Sequence, residues 1–550
     1  MFDQVSYGTC LKFVIDGQQI MGLAYEKMKE AKSSIWIANY DLDPDICLVR
    51  KAENQQYGVH SLYQSERSIA KDKNENKNKE RGYISDITCD SSDDSTKNDY
   101  TLQSLLIEKA REKVDIKIIL WEPRLLVRKL PVSKRRGIEG REKKAKFLNQ
   151  LAKNYGVENY LSVRLDSKTP TLTSGFHEKI IIIDNETAFC GGQDLSNGKW
   201  DTTSHSFDSI LRDYGSQPWH DVNVMVKGPI VWDVIFHFNQ RWVHSILRDD
   251  KSVNELVKPD LIGAYLLPHS FSRPSTNIDN KDEERIEIVA LRTWKQSFND
   301  KGNDTYMDRN NSIEHRNGIR EWYDTMLRKA KHAIYLEDQF PFQDKIITRI
   351  LIKRLREEPA LKVITIGPME PNLPGFIFGK ISHESINDIN SNLAALRRAG
   401  DGERVRNYSL ISQDPKANNK RKQIYVHSKI MIVDDKWITV GSANTDRDGF
   451  EASTEFDLGI NSSKLAIQLR VKLLTEHIGI RQHDSLESLD TNLDNFNEGF
   501  ELLEKVAQDN GRRVQRGEFI KGHIYYYNFQ EMKFPPPYLG AKGGNKFRLL

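Results

Sequence analysis

Two stretches of this chain, FHEKIIIIDNETAFCGGQDL at 176–195 and VHSKIMIVDDKWITVGSAN at 426–444, share one pattern. Each has a histidine, a lysine two residues on, four apolar residues and an aspartate. The histidines lie 427 − 177 = 250 residues apart. A duplication on this scale makes two similar folding units the first expectation, because each copy needs its own set of elements.

Other segments repeat in the same order. EKMKEAKSSIWIANYDLDP (26–44) and DTMLRKAKHAIYLEDQFPF (324–342) both read as a helix end followed by a buried strand, and place Ile35 opposite Ile334, 334 − 35 = 299. LIEKAREKVDIKIIL (106–120) aligns without a gap on LIKRLREEPALKVIT (351–365), 351 − 106 = 245. The drop from 299 to 245 requires about fifty extra residues early in the first copy. The polar runs KDKNENKNKERGY and CDSSDDSTKND mark them, and residues 52–100 are expected to be a surface or disordered insertion.

Helices alternate with short apolar strands in both copies, which predicts an α/β protein of two halves, each a central mixed sheet flanked by helices. A pseudo-twofold axis would relate the halves, with a site at their interface. The expected boundaries are 1–245 for the first half, 246–280 for a connection, 281–485 for the second half and 486–550 for a tail packing on it.

The period of a strand turns His177 and Lys179 to one face, and His427 and Lys429 likewise. Asp184 and Asp434 are expected to fix turns. The small-residue turns CGGQDL and GSANTD predict an anion-binding edge through Gly192, Ser442 and Asn444. Asp221 and Glu455 stand at strand starts, where a carboxylate can set a histidine's tautomer. Two histidines, two lysines and anion-directed turns suit phosphodiester cleavage: one imidazole attacks phosphorus, the other protonates the leaving oxygen, and the lysines neutralise the phosphate. That chemistry requires neither metal nor cofactor. His205, His220 and His237 read as surface or core residues, and Trp219 and Trp232 as packing.

These residues resemble the phospholipase D superfamily and its duplicated HxKxxxxD motif. AFCGGQDLSNGKWD, PWHDVNVMVKGPIVWDVIFHFNQRW and IYVHSKIMIVDDKWITVGSAN are similar to the phospholipid-cleaving branch. The resemblance implies His177 as nucleophile, His427 as general acid, Lys179 and Lys429 on the phosphate, and Asp221 and Glu455 orienting the histidines. It implies hydrolysis of the distal phosphodiester of a glycerophospholipid to phosphatidic acid through a phosphohistidine, with transfer to alcohols. A phosphatidyltransferase or nuclease of the same superfamily is the alternative, and a catalytically silent lipid-binding protein a further one. GSANTDRDGF departs from the usual pattern, and Asp338 stands where the family commonly has Asn. This sequence begins directly with the first half, without the lipid-binding modules of many larger eukaryotic members.

A net charge of +3 gives no global basicity for nucleic acid, and no run approaches the ~20 apolar residues of a membrane span. The expected partner is a phospholipid surface, touched peripherally by a monomer. Phe376, Ile377 and Phe378 form a candidate membrane loop, and the basic runs 134–146 and 416–422 candidate headgroup contacts. The absence of a secretory signal in the first residues and the unpaired pattern of Cys10, Cys47, Cys89 and Cys190 point to a cytoplasmic or peripheral membrane setting, or to export as an effector.

Overall fold

In the computed structural model, which describes residues 5–7, 9–50, 100–122, 140–166, 175–213, 215–249, 286–294, 317–369, 379–417, 420–480 and 492–527, the isoleucine run is divided between two cores. Ile180 and Ile182 enter a core shared by the two halves. Ile181 and Ile183 enter one belonging to the first half. A strand covered on both faces has no place for polar alternation, which is why it is apolar throughout.

The first half runs β1 (Cys10–Ile15), α1 (Asp16–Glu30), β2 (Ser34–Asn39), α2 (Leu102–Arg111), β3 (Asp115–Trp121), α3 (Gly140–Asn154), β4 (Leu161–Asp166), β5 (Ile180–Ile183), β6 (Thr187–Gly191), β7 (Trp219–His220), β8 (Val222–Lys227) and α4 (Val231–Asp249). The second runs β9 (Glu287–Thr293), α5 (Gly318–Lys329), β10 (Ala333–Glu337), α6 (Lys345–Glu357), β11 (Lys362–Ile366), α7 (Gly379–Ala399), β12 (Val405–Gln413), β13 (Arg421–Val426), β14 (Ile430–Val433), β15 (Trp437–Gly441), α8 (Arg447–Glu451), β16 (Glu455–Asn461) and α9 (Ser463–Ile478). After it come α10 (Phe496–Gln515) and β17 (Ile524–Tyr526), which pairs with β12.

The strand orders coincide. The first sheet is β1-β8-β6-β5-β2-β3-β4, and the second contains β9-β16-β15-β14-β10-β11-β12 in the equivalent places. Each sheet is mixed, as expected: β2 pairs parallel with β3 and antiparallel with β5, and β10 does the same with β11 and β14. The second sheet is extended by β13, by β17 and by β7, which the first half contributes. The shared core joins the inner faces of both sheets to α4, α9 and α10, and helices α1 to α3 and α5 to α7 lie against the outer faces.

Two local expectations are corrected. Ile35 pairs with Ile116 and Ile334 with Val363, so the equivalent strands differ by 363 − 116 = 247, not 245. A slip of two residues leaves the inward and outward faces of a strand unchanged, so the apolar pattern cannot detect it. The histidine–lysine pairs also lie outside the strands. Residues 177–179 and 427–429 are connectors that end where β5 and β14 begin. The expected insertion falls almost wholly outside the described residues.

Asp184 and Asp434 build equivalent turns. Each has a positive φ, 53° and 51°, followed by a second positive-φ residue, Asn185 or Asp435. The Asp184 carboxylate accepts the backbone N–H groups of Lys32, Ser33 and Ser34 at 2.7–3.0 Å. Asp434 accepts those of Lys331, His332 and Ala333. Each aspartate thereby ties its hairpin to the start of the central strand. Alanine at Asp184 is expected to cost about 1–3 kcal/mol through the stranded amides, read as a lower thermal unfolding midpoint. Alanine at exposed Lys32, which keeps its amide, should stay within about 0.5 kcal/mol of the parent.

Candidate active site

Each histidine motif is hydrogen-bonded by its backbone to the opposite half. The His177 N–H donates to the Thr454 carbonyl at 2.8 Å, and Thr454 N–H to that of Gly175 at 2.8 Å. On the other side Val426 pairs with His220 in the short parallel ladder of β13 and β7, and His427 N–H donates to the His220 carbonyl at 2.9 Å. These crossings bring the two rings to 6.5 Å between centroids, at an angle of 68°.

The orienting carboxylates cross as well. His177, from the first half, has its Nδ1 3.1 Å from Glu455 of the second. His427 has its Nδ1 2.8 Å from Asp221 of the first. The same His177 Nδ1 lies 3.1 Å from the Ser442 carbonyl, which can only accept, so Nδ1 carries the proton and Nε2 the free lone pair. Among the described residues His427 has no such carbonyl partner. Among the described residues neither Nε2 has a hydrogen-bond partner, and the side chains are 16% and 6% exposed.

Burial pushes both imidazoles well below their ordinary pKa, helped by the charges of Lys179, Lys429 and Lys199. Both rings are therefore neutral near pH 7 before any anion arrives. Burial raises the Asp221 carboxyl to about 6, against the pull of Lys429, and lifts Glu455 well above its ordinary value. The Ser442 hydroxyl donates to Glu455 at 2.6 Å and holds it in place.

The lysines are buried charges. Lys179 Nζ donates to its own motif's His177 carbonyl at 2.5 Å and lies 3.6 Å from Asp194. Lys429 Nζ donates to the His427 carbonyl. Burial brings Lys179 down to about 8, with Lys199 and Lys429 acting in the same direction and Asp194 and Glu455 opposing. Lys429 is also lowered by burial. Burial works against the charge on Lys199 too, but Asp194 and Asp41 raise it above its ordinary value. Asp194 and Lys199 were not singled out from sequence. Asp194 lies 444 − 194 = 250 residues before Asn444, so the repeat offset already carried a signal for it.

The expected anion-binding turn works differently. The amides of Ser442 and Ala443 donate to Asp457 at 2.8 and 3.1 Å, Gln193 N–H donates to Asn223 at 3.1 Å, and Gly192 N–H to the Val222 carbonyl at 3.2 Å. Those amides are not free for a phosphate. Gly192 is small for another reason: a Cβ there would overlap Oδ1 of Asp221. Asn444 Oδ1 is buried without a hydrogen-bond partner among the described residues, but it is an acceptor, so only the Asn444 Nδ2 amide is of the kind that can donate to a phosphate oxygen. Asp338 lies in the same region; burial raises it to about 7 against the pull of Lys429, and it accepts the amides of Phe340 and Thr445 at 2.6 and 2.9 Å.

Aromatic residues flank both histidines. Trp219, expected only to pack, lies 4.9 Å from the His427 ring and donates to Asp221 at 3.4 Å. Tyr40 lies 5.0 Å from the His177 ring and stacks on Trp121, with the Arg141 guanidinium 4.4 Å above Tyr40. Arg141 and Lys144 belong to the basic run expected to face headgroups, yet both turn inward. Lys144 pairs with Asp41 and Asp43 at 2.8 and 2.6 Å. In the second run Lys422 pairs with Asp208 at 2.6 Å. Phe376, Ile377 and Phe378 lie outside the described residues.

Residues 84–344 match the family described as Phospholipase D, and residues 323–475 the one described as Cardiolipin synthase, PLD-like domain. The chain belongs to the phospholipase D superfamily. Similar proteins include phospholipase D alpha 3 of Arabidopsis thaliana, 22% identical over 80% of this chain and 58% of its own length. Phospholipase D alpha 1 of Carica papaya is 24% identical over 75% and 62%. This chain thus spans about three fifths of these relatives. The crystal structure of phosphatidylserine synthase from Haemophilus influenzae shares the superfamily fold at a TM-score of 0.50 and 12% identity, over 94% of this chain and 98% of that one. Among the described residues no helix is long and apolar enough to cross a membrane.

Two outcomes follow from the geometry. Lys179 is cationic below about pH 8 and neutral above, so kcat/KM should fall as pH rises through that value. Lys179→Arg, which stays charged, should lose that alkaline limb whatever its absolute rate; an unchanged limb assigns the titration elsewhere. Gly192→Ala should push Asp221 off His427 and lower kcat/KM by about 10–100-fold, or about 1.4–2.7 kcal/mol, in a protein whose circular dichroism is unchanged.

Proposed function

We propose that this chain is a phospholipase D, cleaving the distal phosphodiester of a glycerophospholipid to phosphatidic acid and a free headgroup. The observation that carries the reading is the pair of histidines facing each other across the halves, each held at Nδ1 by the other half's carboxylate. In this reading the His177 Nε2 lone pair attacks phosphorus while His427 protonates the departing headgroup oxygen. The P–O bond breaks and a phosphatidyl-histidine remains. Water, losing its proton to His427, then attacks phosphorus and releases the P–N bond; a primary alcohol can take its place.

The Ser442 carbonyl supports His177 as the attacking ring, because it already selects the tautomer with a bare Nε2. Burial, aided by the charges of Lys429, Lys199 and Lys179, holds His427 neutral; a phosphodiester anion entering between Lys179 and Lys429 would offset the charges and so raise that ring's affinity for the proton it must deliver. The lysines and the Asn444 side chain would meet the non-bridging oxygens. A phosphatidyltransferase uses the same covalent intermediate with a different acceptor. The match of residues 323–475 to a cardiolipin synthase description favours keeping that second reading.

The test is incubation of the purified protein with phosphatidylcholine or mixed anionic vesicles, EDTA and a little ethanol. Phosphatidic acid with phosphatidylethanol is the expected pair of products. Transfer only to a glycerol or phospholipid hydroxyl would assign the transferase instead, and DNA or RNA cleavage without lipid turnover would sink both. Alanine at either His177 or His427 should lower turnover at least about 10³-fold with the fold intact, and substantial activity in either variant removes the two-histidine mechanism.

A further inference from the structure

Behind the His427–Asp221 pair lies a second constellation that the phosphodiester chemistry leaves unused. Asp16, at the start of α1, His205 and His220 from the first half, and Glu476 on α9 of the second each offer one ligand atom, all four within 4.8 Å of one another. Asp16, His205 and His220 are fully buried, and the Glu476 side chain is 6% exposed. Glu476 Oε1 lies 3.0 Å from His220 Nδ1 and 3.2 Å from His205 Nε2. Asp16 approaches the same two nitrogens at 3.0 and 3.4 Å, one oxygen to each. Neighbouring ligands of a tetrahedral zinc ion, with bonds of about 2.0–2.1 Å, are separated by about 3.3 Å.

The outer nitrogen of each ring is also occupied. His205 Nδ1 lies 3.0 Å from Asp201, and His220 Nε2 lies 3.0 Å from Glu337. A carboxylate behind each histidine is the usual support of a metal-bound imidazole, fixing the ring so that its inner lone pair faces the ion. A divalent ion there would also engage Asp16 Oδ2, which is fully buried and has no hydrogen-bond partner among the described residues.

We propose that Asp16, His205, His220 and Glu476 form a structural site for one zinc-class divalent ion, separate from the phosphodiester chemistry. The ion ties the halves together directly behind the catalytic pair: Asp16 accepts the Asp221 amide at 3.2 Å, and the His220 carbonyl receives the His427 amide at 2.9 Å. His205 and His220, expected to be passive residues, thereby become ligands. Because the ligands are buried, exchange with external chelator requires unfolding.

The test is elemental analysis of protein purified without metal-affinity resin, and of protein unfolded with chelator and refolded with or without equimolar zinc. About one zinc per chain is expected, with X-ray absorption giving nitrogen and oxygen ligands at about 2.0 Å. Glu476→Gln and Asp16→Asn should each bind zinc at least about tenfold more weakly, whereas the double variant His177→Ala/His427→Ala should retain it. Folded protein holding under about 0.1 ion per chain after refolding with zinc overturns the site, as does loss of the ion in that double variant. Metal content is read without any lipid turnover, so failure here is distinguishable from failure of the proposed activity.

Discussion

The exchange of carboxylates between the halves is the interaction on which the rest of this site depends. Glu455 holds His177 and Asp221 holds His427, so neither half by itself supplies both a motif histidine and the carboxylate that holds it. A buried imidazole with an unpartnered nitrogen is expensive, and each half relieves the other of that cost. The backbone links from His177 to Thr454 and from His427 to His220 follow the same crossing. Duplication thus left two units that share a site between them.

The shared core makes that exchange rigid. The inner faces of both sheets, together with α4, α9 and α10, bury one continuous set of apolar side chains. The chain can therefore carry several buried charges at its centre. Lys179, Lys429, Asp194, Asp221 and Glu455 are each almost wholly removed from water, and their pairing offsets part of the desolvation. Burial first, and the lysine charges second, keep the histidines neutral, and an entering anion offsets the second of these.

Much of this was legible in the residues themselves. The 250-residue offset located both motifs, and strands covered on both faces announce themselves as unbroken apolar runs. Asp184 and Asp434 could be assigned to turns because they end those runs. The two-residue slip between Ile116 and Val363 escaped detection because strand faces repeat every two residues. The turn amides looked free for an anion because a sequence does not reveal that Asn223 and Asp457 already accept them.

By itself the sequence determined that this is a duplicated α/β chain with paired histidines and lysines, since repeat offsets and apolar periods are local properties. Only the tertiary structure decided which carboxylate serves which histidine, that Arg141 and Lys144 turn inward, and that Asp16, His205, His220 and Glu476 converge. Those contacts join residues up to 476 − 16 = 460 positions apart. Nothing in a linear pattern records such a distance; it is set when the two sheets bury their inner faces against each other.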